Sequence, residues 1–131
     1  MSSNLFPPRK DQAYFDVSAI EAGLFYLPDS VVVSPATPGA RRYVPSLAFV
    51  LRHSVSGTYV LFDLGVRKDS NNLAPAAQAR VEKMFAPIKI EKDVAESLQE
   101  HGVIPRDINT IIISHLHWCV FYLLDILIEL P

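Results

Sequence analysis

Two apolar runs separated by four turn-forming residues constrain the fold of this chain most. Ser46–His53 and Thr58–Asp63 flank Ser54-Val55-Ser56-Gly57, a spacing typical of two antiparallel strands joined by a short glycine-containing turn. Both runs are apolar almost without interruption. A strand with one solvent-exposed face instead alternates apolar and polar residues. We therefore predict a β-hairpin buried on both faces, at the centre of a layered α/β protein.

The residues before this hairpin also predict strands. Ala13–Leu27 is rich in aromatic and β-branched residues and is interrupted by Gly23, so we interpret it as one or two strands with a turn. Val31–Val33 predicts another short strand. Ser34–Arg42 contains two prolines and a glycine, which indicates a loop.

Two helices are predicted after the hairpin. A polar surface loop, Arg67–Asn72, leads to Ala76–Phe85, which has good helix formers and one apolar edge. Lys92–His101 is the second helix, because Asp93 favours its N-terminal end and Gly102 suits the left-handed position that ends a helix. No internal repeat or linker interrupts this order, so we expect a single α/β unit.

A pair of histidines follows the last predicted strand. Asn109–Ser114 is an apolar run that leads directly to His115-Leu116-His117. Side chains two apart in an extended chain point the same way, so the two imidazoles can converge on one zinc ion. Two partly buried imidazoles bonded to the backbone are the structural alternative. A hydrolytic zinc site needs three or more protein ligands, so the pair alone does not complete one.

Composition and termini exclude several classes of protein. The 131 residues suit one modest domain or part of a larger one. Twelve basic and fourteen acidic residues give a net charge of -2 with no basic stripe, which argues against nucleic-acid binding. Met1–Gln12 has no apolar run that could serve as a signal-peptide core, so we expect a cytoplasmic protein with a flexible start. Cys119 is the single cysteine, and we assign it no catalytic role.

The motifs resemble the metallo-β-lactamase superfamily. Val60–Gly65 is similar to the family's strand that ends in Asp-X-Gly, and Gly102–Trp118 is similar to its approach to the motif His-X-His-X-Asp-His. Ser114-His115-Leu116-His117-Trp118 most resembles the lactonase-like branch, in which Ser-His-Leu-His-Trp-Asp-His is typical. The resemblance extends from about Ala13 to Trp118.

This resemblance implies a fold and a chemistry. The fold would be the N-terminal half of an αββα sandwich, with a mostly antiparallel buried sheet and flanking helices. The chemistry would be zinc-dependent hydrolysis of a lactone, ester or amide, with acyl-homoserine lactones among the small-molecule substrates. His115 and His117 would bind the first metal ion, and Asp63 would support the site from nearby. His53 and His101 match no motif position, so we predict surface positions at a strand end and a helix end.

The sequence departs from the family pattern after Trp118. Cys119 and Val120 occupy the positions of the motif's Asp and His, and the family's second αβ half, with its further metal ligands, does not follow. We therefore expect weak or absent zinc binding, no assignable catalytic residue and no activity of this chain. A non-catalytic binding or regulatory half-domain, or a non-functional fragment, is the alternative.

Residues 119–131 form an atypical apolar tail. The tail is shorter than the 20 or so apolar residues of a membrane span and contains Asp125 and Glu129, so we do not expect a membrane anchor. It could be a terminal core element. Because the codons for Trp118, Cys119 and Val120 must contain a GT dinucleotide, our leading hypothesis is a retained intron or a wrongly predicted gene end.

Overall fold

The computed structural model describes residue 7, residues 9–66, residue 68 and residues 73–115. Within these ranges the chain forms five strands and two α-helices. The strands are β1 (Phe15–Pro28), β2 (Arg41–His53), β3 (Tyr59–Phe62), β4 (Ile88–Lys89) and β5 (Ile108–Ile112), and the helices are α1 (Pro75–Phe85) and α2 (Val94–Glu100). Short 3-10 helices occupy Asp29–Val31 and Pro105–Asp107.

The five strands form one sheet in the order β4-β1-β2-β3-β5. The predicted hairpin is confirmed, since β2 pairs with β3 antiparallel and Phe49 lies opposite Phe62. Strand β5 pairs with β3 in parallel. A parallel neighbour requires a long connection, and α1, β4 and α2 supply it between β3 and β5. The sheet is therefore mostly antiparallel, as the sequence predicted.

Strand β1 is a single long strand with a bulge where the sequence predicted a possible turn. Glu21 lies opposite Leu47 and Leu24 lies opposite Pro45, so two residues of β1 share one position of β2. Gly23 is one of these two residues and has a φ of 120°, which residues with a Cβ rarely adopt. The glycine thus lets the chain kink without ending the strand.

The predicted strand at Val31–Val33 is wrong. The chain forms a 3-10 helix at Asp29–Val31, and the amides of Val32 and Val33 donate to the Asp29 carbonyl at 3.0 and 2.8 Å. The Asp29 carboxylate also accepts two hydrogen bonds from Arg42, at 2.7 and 2.5 Å. These local bonds outweigh the extended preference of three consecutive valines.

Both helices pack on the same face of the sheet. Six residues make up the buried core cluster there, namely Ala22, Ala48, Leu61, Leu64, Val94 and Leu98. Helix α2 contributes the last two of these. Helix α1 packs through Phe85, whose ring meets that of Phe25 edge-on at 5.6 Å. Phe25 pairs with Val44, which by strand alternation lies on the same face as Ala48.

The opposite face of the sheet is apolar and partly exposed. Alternation along the paired strands puts the following side chains together on this open face: Phe15, Val17, Leu47, Phe49, Leu51, Val60, Phe62 and Ile112. Val17 is 60% exposed and Leu47 43%. The expected burial on both faces is therefore found, among the described residues, only on the face that carries the helices.

Helix α2 begins at a capping box, and its end matches the prediction. The Asp93 carboxylate accepts from the Glu96 amide, and the Glu96 carboxylate accepts from the Asp93 amide, both at 2.9 Å. A hydrogen bond from Lys68, and then the Asp93 amide, hold the pKa of Glu96 below its usual value. Gly102 follows the helix with a φ of 76°. No helix in the described ranges has the length and apolarity to cross a membrane.

Candidate functional site

The candidate site lies where β3 and β5 end. Because these strands are parallel neighbours, the residues that follow them meet at the same edge of the sheet. Phe62 lies opposite Ile112, and the amide of Asp63 donates to the Ile112 carbonyl at 2.9 Å. Asp63 therefore leaves β3 beside the segment that carries Ser114 and His115.

The Asp63 carboxylate holds Ser114 with both of its oxygens. Oδ1 accepts the Ser114 amide and Oδ2 accepts the Ser114 hydroxyl, each at 2.7 Å. Asp63 is only 8% exposed, and a buried carboxylate is stable only when its oxygens are hydrogen-bonded. The two bonds satisfy that need and tie together residues 51 positions apart.

Asp63 is itself fixed by the bulge of β1. Asp63 has a φ of 62° and Gly65 a φ of 67°, so the chain turns sharply between them. A Cβ placed on Gly65 would lie 2.0 Å from the Ala22 Cβ. The Val66 amide donates to the Ala22 carbonyl at 2.8 Å. This close contact fixes the turn and leaves Asp63 little freedom to move.

Ser114 also contacts His115. The Ser114 Oγ and the His115 Nδ1 are 2.8 Å apart, so a hydrogen-bonded path runs from Asp63 through Ser114 to His115. A hydrogen-bond partner behind a histidine fixes the orientation of its ring, and here that partner is the Ser114 hydroxyl. Asp63 is therefore linked to His115 through Ser114, which engages both of its carboxylate oxygens, and its support of a metal site stays a prediction.

The described residues do not provide a complete metal site. In residues 7, 9–66, 68 and 73–115, no three His, Cys, Asp or Glu side chains are placed to hold an ion. His115 lies in this part of the chain, whereas His117, Cys119 and the tail lie outside the described residues. The structure thus brings Asp63 and His115 together, and it tests neither the ligand pair nor the tail.

The two other histidines lie where the sequence predicted. His53 ends β2, and its Nδ1 accepts from the Ser56 amide at 3.1 Å. His101 follows α2, and its Nδ1 is 2.8 Å from the Ser97 carbonyl oxygen. Both are bonded locally, away from the edge that carries His115, which confirms that they are end-of-element residues.

Ser114 is the residue of the site that sequence reasoning missed. Its position directly before His115 was the available signal, because a hydroxyl there can reach the neighbouring imidazole. The bond partner, Asp63, is remote in sequence and became identifiable only through the pairing of β3 with β5.

Comparison with known proteins gives the family. No protein-family model matches the chain. The chain is 32% identical over 129 residues to Gamma-lactamase FDB1 of Fusarium pseudograminearum (strain CS3096), an overlap of 90% of this chain and 31% of that protein. It is 33% identical over 115 residues to Metallo-hydrolase mfmC of Annulohypoxylon moriforme, covering 82% of this chain and 30% of the relative. The chain thus spans about a third of the length of these curated relatives.

Solved structures agree with these relatives. One is an N-acyl homoserine lactone hydrolase with its product N-hexanoyl-L-homoserine bound at the catalytic metal centre, with a TM-score of 0.64 and 28% identity. Another is an AiiA variant of B. thuringiensis with N-decanoyl-L-homoserine at its active site, with a TM-score of 0.63 and 29% identity. Each match covers 79% of this chain and 42% of the other.

The fold and the relatives together define the class of protein. The chain belongs to the metallo-β-lactamase superfamily. Within it, the chain is similar to proteins named gamma-lactamase, metallo-hydrolase and N-acyl homoserine lactone hydrolase.

Proposed function

We propose that His115 and His117 are two ligands of a zinc site of the kind that hydrolyses a small lactone, ester or amide, and that this chain leaves the site incomplete. The observation that carries this proposal is the placement of His115 at the shared end of β3 and β5, joined through Ser114 to the buried Asp63. Zinc at such a site polarises a carbonyl and lowers the pKa of a water molecule. Asp63 would act by orienting the ligand-bearing segment.

We propose that the substrate is a small cyclic ester (lactone) or cyclic amide (lactam). Two relatives are named gamma-lactamase, which indicates a cyclic amide. One solved neighbour is named an N-acyl homoserine lactone hydrolase, and its named substrate is a cyclic ester. Both reactions add water to a ring carbonyl and break its bond to nitrogen or oxygen, so one type of site serves either substrate.

We further propose that this 131-residue polypeptide does not complete the site by itself. A catalytic zinc ion takes three protein ligands and keeps one position for water. Two imidazoles leave the ion short of that number, and Cys119-Val120 replace the Asp and His that would follow them. Zinc should therefore bind weakly and dissociate during dialysis against a mild chelator.

The test uses the purified chain and a His115→Ala, His117→Ala double variant. We expect no zinc-dependent opening of N-hexanoyl-homoserine lactone or of a γ-lactam by either protein. Zinc competition with a chromophoric chelator should show weak binding by the parent chain that the double variant lacks. Turnover lost in the double variant would refute the proposed inactivity. Equal zinc binding by the two proteins would refute the histidine ligands.

A binding function is the second candidate, and the open face favours it. The eight apolar side chains of that face lie on four adjacent strands. A half-domain that pairs with another chain would cover such a surface. A stable, soluble oligomer of the isolated polypeptide would support this alternative.

A further inference from the structure

We propose that Ser114 is a positioning residue that holds His115 in one tautomer, with the proton on Nδ1 and the lone pair on Nε2. The tautomer follows from the hydrogen bonds that Ser114 makes with Asp63 and with His115 Nδ1. Its use, to direct Nε2 toward a metal ion, rests on the function proposed above.

The assignment comes from counting hydrogens. An ionised carboxylate accepts and has no hydrogen to give, so Asp63 takes one hydrogen from the Ser114 amide and one from its hydroxyl. A serine hydroxyl has a single hydrogen, and Asp63 Oδ2 uses it. At 2.8 Å from the hydroxyl oxygen, the His115 Nδ1 must therefore be the donor. In the neutral ring, Nε2 then carries the lone pair.

The hydrogen bonds around Ser114 fix the preference of His115 for this tautomer. The same carboxylate fixes both the backbone and the side chain of Ser114, so the hydroxyl cannot rotate without losing a bond to a buried charge. Asp63 is held in turn by the turn at Gly65, which packs against Ala22. A solvated neutral imidazole exchanges its proton between both nitrogens, whereas this one has a fixed acceptor beside Nδ1.

His53 provides an internal reference of the opposite tautomer. Its Nδ1 accepts the Ser56 amide at 3.1 Å and lies 2.8 Å from the Ser56 hydroxyl oxygen, which can donate to the same nitrogen. The neutral ring then carries its proton on Nε2. The two histidines should therefore give opposite signals in one sample, and His53 should not respond to changes at Ser114.

The experiment is NMR of imidazole nitrogens in the zinc-free chain labelled with 15N-histidine. Spectra are recorded near pH 8, where an unperturbed imidazole is neutral, and a His115→Gln variant assigns the signals. We expect His115 to be protonated at Nδ1 and His53 at Nε2. Magic-angle-spinning NMR reports the same shifts if the chain self-associates, so the measurement does not require a monomer.

Three variants separate positioning from general structural damage. Ser114→Ala removes the acceptor, so the His115 signals should move toward a mixture of tautomers. Ser114→Thr keeps the hydroxyl and should preserve the parent tautomer. Asp63→Asn should shift His115 toward protonation at Nε2. Its amide group donates to the Ser114 hydroxyl, which then gives its own hydrogen to Nδ1. Asparagine also tolerates the positive φ of this position.

The parent chain alone can refute the proposal, whatever the variants do. Protonation of His115 at Nε2, or as an even mixture, would overturn it. A folded Ser114→Ala protein with an unchanged His115 tautomer would also overturn it. If zinc binds in competition assays, Ser114→Ala should lower the zinc affinity about tenfold or more, because loss of a ligand's hydrogen-bond partner usually does so. Ser114→Thr should leave the zinc affinity unchanged. The predicted tautomer without histidine-dependent zinc binding would refute the proposed function only.

Discussion

Gly65 is the residue at which the candidate site meets the rest of the sheet. Its φ of 67° favours glycine, and the Ala22 side chain and backbone leave no room for a Cβ. Asp63, two residues earlier, depends on this turn for its position against Ser114. A side chain at position 65 would therefore disturb both the packing against Ala22 and the position of Asp63.

We expect Gly65→Ala to destabilise the chain more than Gly57→Ala. Both glycines have a positive φ, of 67° and 72°. Each substitution should therefore cost about 1–2 kcal/mol of stability, because alanine must adopt the left-handed conformation. Nothing lies within 4 Å of a Cβ at Gly57. At Gly65 the backbone must also shift, which adds about 1–3 kcal/mol. Equal shifts in urea midpoint for the two variants would contradict this account.

Residue types in the sequence singled out two residues that the structure brings to the candidate site. Asp63 and His115 were identified because the motifs contain them, and the structure places both at one edge of the sheet. Ser114 was missed because its role depends on a bond to Asp63, which strand pairing alone brings near. His117 stays a prediction, because it lies outside the described residues.

At the scale of elements, apolar patterns with clear boundary signals predicted well and short runs without them did not. Turn residues bound the hairpin, and α2 lies between Asp93 and Gly102. Strand β4 has two residues, Ile88–Lys89, and exists because they pair with Leu24 and Phe25 of β1. The predicted strand at Val31–Val33 failed for the converse reason, since a local turn at Asp29 overrode β-propensity.

The cap of α2 gives a prediction at this scale. We expect Asp93→Ala to lower the free energy of unfolding by about 1 kcal/mol, because the Glu96 amide would lose its acceptor. Glu91→Ala removes the same charge two residues earlier and serves as the control. Its cost should stay within about 0.5 kcal/mol, as for most surface changes. Similar unfolding curves for the two variants in urea would show that charge near the helix matters more than the cap.

At the scale of the molecule, the described residues form a sheet with two unlike faces. Helices α1 and α2 cover one face, and the apolar side chains of the open face lie on the other. Patches of this kind on soluble proteins mark interaction surfaces or aggregation sites. The continuous apolar runs of β2 and β3 predicted apolar side chains on both faces of the sheet. Such a sequence pattern does not specify which elements pack on each face.

We expect the 131-residue chain to bind a hydrophobic dye and to self-associate through the open face. Val17→Lys places a charge on that face in β1 and should reduce both effects, because a charged residue opposes close apolar contact. Val55→Lys is the matched control, since Val55 is 77% exposed against 60% for Val17 but lies in the turn between β2 and β3. Dye fluorescence and sedimentation velocity measure the two effects. A monodisperse monomer with a sharp thermal transition and no bound dye would refute the exposed apolar face, and equal effects of the two lysines would refute its role in association.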